Sequence, residues 1–270
     1  LIMALVRHEV PILEYDTAQR AVIMPGSREI SYPERAVFLF LGDAVEACAA
    51  ANACETLEGY ETITKTYPIF KTVHQNKEVC FCQAPLGAPA AVQILDHLIG
   101  SGVRKIIAAG TCGALIDIAE NEFLIPVEAV RDEGTSYHYL PPARTIALDR
   151  AAVDAIRRTL LCHGLGVREC RVWTTDAFYR ETADMVTYRK EEGCTAVDME
   201  CAAMAACARF RGALFGQILF TADSLADVSH QIRTPLTAIT LMLPVVERAD
   251  DARERKRAVR ELESMIERVS

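Results

Sequence analysis

The stretch KEVCFCQAPLGAPAAVQILDHLIGSGVRKIIAAGTCGAL, residues 77–115, decides the fold class. A short apolar run, VCFC, reads as a strand, and the turn Pro85–Pro89 breaks it. A helix follows with Val92, Leu95 and Leu98 on one face. Glycine stops that helix, and RKIIAAG, a second short apolar run, begins. Such a run suits a strand covered on both faces. The order strand, helix, strand predicts a parallel crossover unit.

The same alternation recurs on either side. AVFLFLGDAVEACAAANA (36–53) reads as a strand, a Gly-Asp turn and an Ala-rich helix. Further strands are predicted in EFLIPVEAV, ECRVWTT, CTAVDME and ALFGQILFTAD, with helices over 149–163, 181–192 and 199–210. Residues 1–35 are mixed and end in the turn-rich MPGSREISYPER. The pattern predicts a three-layer α/β/α domain with a largely parallel or mixed sheet, over residues 1–226. From about residue 227 the character changes. The remainder has no glycine and no strand-like alternation, and Val259, Leu262, Ile266 and Val269 follow coiled-coil spacing. Residues 227–270 are therefore expected to form a separate α-helical hairpin.

Composition narrows the function classes. Of 270 residues, 51% are hydrophobic and 24% charged, enough for a sizeable core. A net charge of −8 argues against nucleic-acid binding, which needs a cationic face. No apolar run reaches the length of a membrane span, and no signal peptide is recognisable. The ten cysteines are irregularly spaced, and Cys80 and Cys82 are too close for zinc-knuckle spacing. They are expected to be buried thiols of a reducing cytoplasm, with no metal site.

Four segments combine polar, aromatic and small residues at strand ends: AAGTCGAL (108–115), EGTSYHY (133–139), TTDAFYRET (174–182) and AVDMECAAM (196–204). Together with FTADSL (220–225) they resemble the nucleoside phosphorylase family, which includes uridine and purine nucleoside phosphorylases and nucleosidases. The resemblance covers roughly residues 37–226. It implies cleavage of a nucleoside to base and pentose 1-phosphate, with inorganic phosphate as co-substrate and no other cofactor. It implies that Met199 and Glu200 hold the ribose and that Thr111 lies beside it. Gly42, Gly110, Thr111 and Glu46 fall in the phosphate or nucleophile region. Phe178 stacks on the base, Tyr137 is a further base-contact candidate, and Asp223 protonates purine N7. Glu200 and Asp223 are thus the expected catalytic pair. A carboxylate on the sugar hydroxyls orients the reacting centre. An acid at the base assists the leaving group.

The departures from the family pattern are cationic. GDAVEA carries Glu46 where phosphorolytic relatives carry an arginine, and Ala108 replaces another arginine two residues before the Gly-Thr turn. Thr182 and Asp184 stand near the places of the uridine-reading Gln and Arg. These changes open the alternative of a hydrolytic nucleosidase, with Glu46 activating water.

SHQIRTPLTAI (229–239) resembles the H-box of sensor histidine kinases. That resemblance makes His230 a phosphoacceptor candidate, followed by Gln231 where the family carries an acid. It implies a response regulator or a separate kinase in trans as partner, and a third reading as a nucleoside-sensing signalling module. Both resemblances imply a homodimer or higher homo-oligomer.

Overall fold

The computed structural model describes residues 5–26, 29–118 and 122–221. The expected hairpin over 227–270, with His230, and the residue Asp223 lie outside the described residues. The strands are β1 (Leu5–Val6), β2 (Tyr15–Asp16), β3 (Arg35–Leu39), β4 (Glu55–Glu61), β5 (Thr66–His74) and β6 (Lys77–Gln83), then β7 (Lys105–Ala114), β8 (Glu122–Asp132), β9 (Thr145–Ala147), β10 (Gly166–Thr175), β11 (Cys194–Asp198) and β12 (Leu214–Thr221). The helices are α1 (Ala44–Ala51), α2 (Ala88–Gly100), α3 (Arg150–Cys162), α4 (Ala183–Glu191) and α5 (Cys201–Arg211).

Residues 77–115 fold as their sequence predicts: β6, α2, β7. Gly87 adopts φ +93°, which glycine alone tolerates well, and Pro89 follows within the first turn of α2. Val92, Leu95 and Leu98 are buried. The long helices also start on sequence signals. Asp149 caps α3 by accepting from the Ala151 N–H at 2.8 Å. Thr182 caps α4 by accepting from the Met185 N–H. The run Cys201–Ala208 of α5 is buried throughout, because its small side chains let it sit between α2 and the sheet.

The sheet departs from the three-layer expectation. Strands β3, β6, β7 and β12 are parallel neighbours in the order β6-β3-β7-β12. β8 joins β12 antiparallel, β10 joins β8 parallel, and β11 joins β10 parallel. β11 then returns to pair antiparallel with the end of β7, Ala196 opposite Ala114 and Val197 opposite Gly113. Five strands, β7, β12, β8, β10 and β11, therefore close into a barrel, and β3, β6, β5 and β4 extend from it. The closure has two local causes. The β8–β10 register shifts at Cys170/Arg171, a bulge that bends the pair. At Gly113, an added Cβ would lie 2.7 Å from Val197 Cγ1, so only glycine lets the two backbones meet there.

The antiparallel extension is also absent from the sequence reading. β5 and β6 form a hairpin whose two-residue turn, Gln75–Asn76, has both φ values positive. Positive φ at both positions marks a type I′ turn, normally signalled by Asn-Gly; here no glycine announces it. Eight of the ten cysteines are buried and all are free. Among the described residues no helix is long and apolar enough to cross a membrane, and no cluster of His, Cys, Asp and Glu could hold a metal.

Gly113→Ala should weaken the barrel seam without touching any pocket side chain. Overpacking of this kind costs about 1–3 kcal/mol, so the melting temperature should fall by several degrees. An unchanged melt measured by calorimetry would show that the seam tolerates a methyl group.

Candidate functional site

Three loops lie side by side where β3, β6 and β7 end. The Phe40 N–H donates to Ala109 O at 2.9 Å, and the Ala84 N–H donates to Leu39 O at 2.7 Å. The Leu41 N–H donates to Gln83 Oε1. Phe40 also packs on Gly110, where an added Cβ would come within 2.8 Å of the Phe40 Cβ. Gly110 is thus required by packing, and the next residue, Thr111, is exposed. Gly42 has φ +60° and open space around it. Gly42 and Gly87, in the segments after β3 and β6, and Thr111, on β7, lie towards the C-terminal edge of these parallel strands.

The turn from β11 into α5 meets that edge. Glu200 Oε1 accepts the Gly87 N–H at 2.6 Å. Glu200 is only 6% exposed. Burial, and after it the neighbouring Asp198 charge, push its carboxyl up to about 8 against the opposing Gly87 and Met199 N–H groups. Asp176, at the end of β10, adds to the upward push. The largest charges acting on Glu200 among the described residues are therefore acidic ones.

Asp176 ties in a further segment, its Oδ2 accepting the Gly134 N–H at 2.8 Å. Beside it Glu133 is buried, and that burial raises its carboxyl, with Asp176 contributing. The turn after Glu133 is built on Arg131. Its guanidinium donates to Ser136 Oγ, Pro141 O and Leu140 O, and packs 4.5 Å from the Tyr137 ring centroid. The Tyr137 hydroxyl donates back to Arg131 O.

The structure thus carries Gly110 and Thr111 on β7 beside the segment after β3 that holds Gly42, and it joins Gly87 to Glu200, with Met199 next in chain. Phe178 sits in a short 3-10 turn just after Asp176, 46% exposed, its ring 4.1 Å from that of Tyr179. Tyr137 is committed to Arg131. Glu46 is exposed on the first turn of α1. Ala108 is buried within β7. Thr182 serves as a helix cap. Sequence reading did not single out Gly87, Asp176 or Glu133 as site residues. The glycine at a strand-to-helix turn and the Asp of TDAFY were the available signals.

What this arrangement can do is hold a polyol. A buried carboxylate with one oxygen fixed by a backbone N–H leaves the other oxygen to accept hydroxyl hydrogens, and glycine-lined loops let a ligand approach the backbone.

A family model described as the phosphorylase superfamily matches residues 34–266. The match continues through 227–266, the stretch with the H-box-like pattern, and none of the comparisons supports a kinase segment there. A guanosine phosphorylase of Halorubrum lacusprofundi is 25% identical over 178 residues, 66% of this chain and 73% of that protein. A DeoD-type purine nucleoside phosphorylase of Bacillus cereus is 33% identical over 142 residues, 50% of this chain and 59% of that protein. The chain therefore matches little more than half the length of the latter relative. Among solved structures, a uridine phosphorylase from Vibrio fischeri superposes with TM-score 0.64 at 22% identity, covering 81% of this chain and 88% of that one. An AMP nucleosidase from Bacteroides thetaiotaomicron superposes with TM-score 0.64 at 19% identity, covering 83% and 90%. These two likenesses bear on the fold.

The raised Glu200 carboxyl links stability to pH. Its stabilising contribution is complete below the unfolded glutamate value, roughly 4.3, and is lost as pH rises through about 8. Glu200→Gln carries no such dependence. The melting temperature of the wild type relative to Glu200→Gln should therefore decline between pH 5 and 8.5. A difference that stays flat across that range would mean Glu200 is not raised.

Proposed function

The chain belongs to the phosphorylase superfamily, and from that premise we propose that it cleaves the N-glycosidic bond of a nucleoside, purine favoured, with phosphate as acceptor. The observation that carries the reading is the buried Glu200 carboxylate, fixed by the Gly87 N–H at the meeting point of glycine-lined loops. In this reading Glu200 and Met199 hold the ribose, and Thr111 and Gly110 lie beside it. Phe178, half exposed at the end of β10, offers its ring to the base.

Cleavage breaks the C1′–N bond. The bonding electrons go to the base, and the sugar gains oxocarbenium character. A phosphate oxygen then bonds to C1′, giving pentose 1-phosphate. A carboxylate on the hydroxyls steadies the sugar through this change. Asp223, outside the described residues, takes the role of proton donor to purine N7, which neutralises the leaving base. The guanosine and purine nucleoside phosphorylases among the relatives support the purine preference.

A second reading, hydrolysis, has its own observation. Ala108 is buried in β7, Glu46 sits on α1, and the largest charges acting on Glu200 among the described residues are acidic. A dianion is held best by charge-assisted donors. Water needs none.

Product analysis separates the two. Inosine, guanosine, adenosine and uridine would be incubated with the purified chain, with and without phosphate. Pentose 1-phosphate that appears only with phosphate, and faster release from purine nucleosides than from uridine, is the expected result. Free ribose at the same rate without phosphate would make the protein a nucleosidase. A uridine preference would remove Asp223 from the chemistry.

A further inference from the structure

Asp198 lies two residues before Glu200 and is 5% exposed. Its Oδ1 accepts from Thr174 Oγ1 at 2.8 Å, and its Oδ2 accepts the Cys201 N–H at 2.8 Å. Gln217 Nε2 lies 3.4 Å from the same Oδ2. Thr174 Oγ1 in turn accepts the Ala202 N–H at 3.1 Å. The carboxylate therefore fixes the first two N–H groups of α5, one directly and one through Thr174. Glu200 is the residue immediately before that helix. Any shift of Asp198 moves Glu200 against Gly87.

The surroundings of this carboxylate are unusual for a purely structural cap. Gln217 is 1% exposed, and its Oε1 has no hydrogen-bond partner among the described residues. The titratable groups facing Asp198 are the thiols of Cys112 on β7, Cys170 on β10 and Cys201 on α5, all raised by burial and so neutral, and Glu200 itself. Those facing Glu200 are Asp198, Asp176 and Cys201. Two carboxyls thus share one dry turn. A stable cap needs no second carboxyl beside it; a tuned carboxylate does.

We propose that Asp198 is a positioning residue for Glu200: clamped by Thr174, Cys201 and Gln217, it fixes the Met199–Glu200 turn and sets a second buried negative charge against the sugar-binding carboxylate. The inference rests on the sugar-binding role given to Glu200 above. Its consequence is that Glu200 ionises late, so the affinity for sugar hydroxyls rises with pH through the range where Glu200 loses its proton. Burial also raises the Asp198 carboxyl, against the Thr174 hydroxyl, the Cys201 and Glu200 N–H groups and the Gln217 amide, so the pair releases its protons in two linked steps.

The test reads Glu200 with and without substrate. Protein labelled with ¹³C at glutamate side-chain carboxyls would be titrated by NMR, the Glu200 signal being assigned from its loss in Glu200→Gln. Asp198→Asn keeps the shape and removes the charge. The Glu200 midpoint should then fall by at least one pH unit, and the rising limb of kcat/KM against pH should move with it. Asp198→Glu, which restores a charge, should return the limb towards its wild-type position. If Asp198→Asn does not fold, Gln217→Met serves instead. Losing the amide donor leaves Asp198 neutral over a wider range, so the Glu200 midpoint again falls, by less. A midpoint that stays put in a folded variant would overturn the proposal. A wild type that cleaves no nucleoside, yet shows the shifted midpoint, would instead overturn the nucleoside reading and leave the Asp198–Glu200 coupling standing.

Discussion

The 2.6 Å hydrogen bond from the Gly87 N–H to Glu200 joins two parts of the chain 113 residues apart. One is the turn that opens α2; the other is the turn that opens α5. Those helices pack on each other, so the bond can form only when both are seated. It requires Gly87 at φ +93°, where a Cβ would be strained. It also places a carboxyl in a dry position, and a carboxyl so placed resists ionisation unless something accepts or shares its charge. Fold and chemistry meet in this contact. The helix packing makes the bond, the bond orients Glu200, and burial decides when Glu200 carries charge.

The barrel explains why acidic groups converge there. If β11 ran on as the edge of an open sheet, its end would be remote from β7. Closure through Gly113 brings the end of β11 back to β7, and Cys112 of β7 then feels the Asp198 charge. The parallel pairing of β10 with β11 sets Thr174 against Asp198 and brings Asp176 close enough to act on Glu200. That pairing and the short β11–β7 seam together assemble side chains from three strands. Gly113 is the residue on which that seam depends, because a side chain there would occupy the space of Val197.

Much of this was legible in the sequence, for identifiable reasons. Strands such as RKIIAAG and helices such as 149–163 are read from apolar period and from the turns and glycine stops that bound them, signals that act locally. Glu200 is assigned to the ribose by the family resemblance; a carboxylate at a strand end before an Ala-rich helix does not by itself separate a ligand contact from an exposed strand-end charge. The barrel was not legible. Its closure depends on a bulge at Cys170/Arg171 and on the meeting of Gly113 with Val197, both of which are pairings between distant residues. The Gln75–Asn76 hairpin was missed because its turn lacks the usual glycine. Tyr137 reads as a base-contact candidate in EGTSYHY, and its packing on Arg131 and its hydroxyl bond to Arg131 O are pairings that sequence patterning does not carry.

The central claim is that Glu200 holds the sugar hydroxyls, and a thermodynamic cycle addresses it most directly. The kcat/KM for inosine and for 2′,3′-dideoxyinosine would be measured with the wild type and with Glu200→Gln, above the pH at which Glu200 loses its proton. A charge-assisted hydrogen bond is worth about 1.5–3 kcal/mol, so the wild type should favour inosine by roughly 10–150-fold. In Glu200→Gln that preference should shrink most of the way to unity, because the acceptor that reads the hydroxyls is gone. An equal preference for inosine in both proteins would contradict the account, and Glu200 would then be a structural residue of the α5 turn.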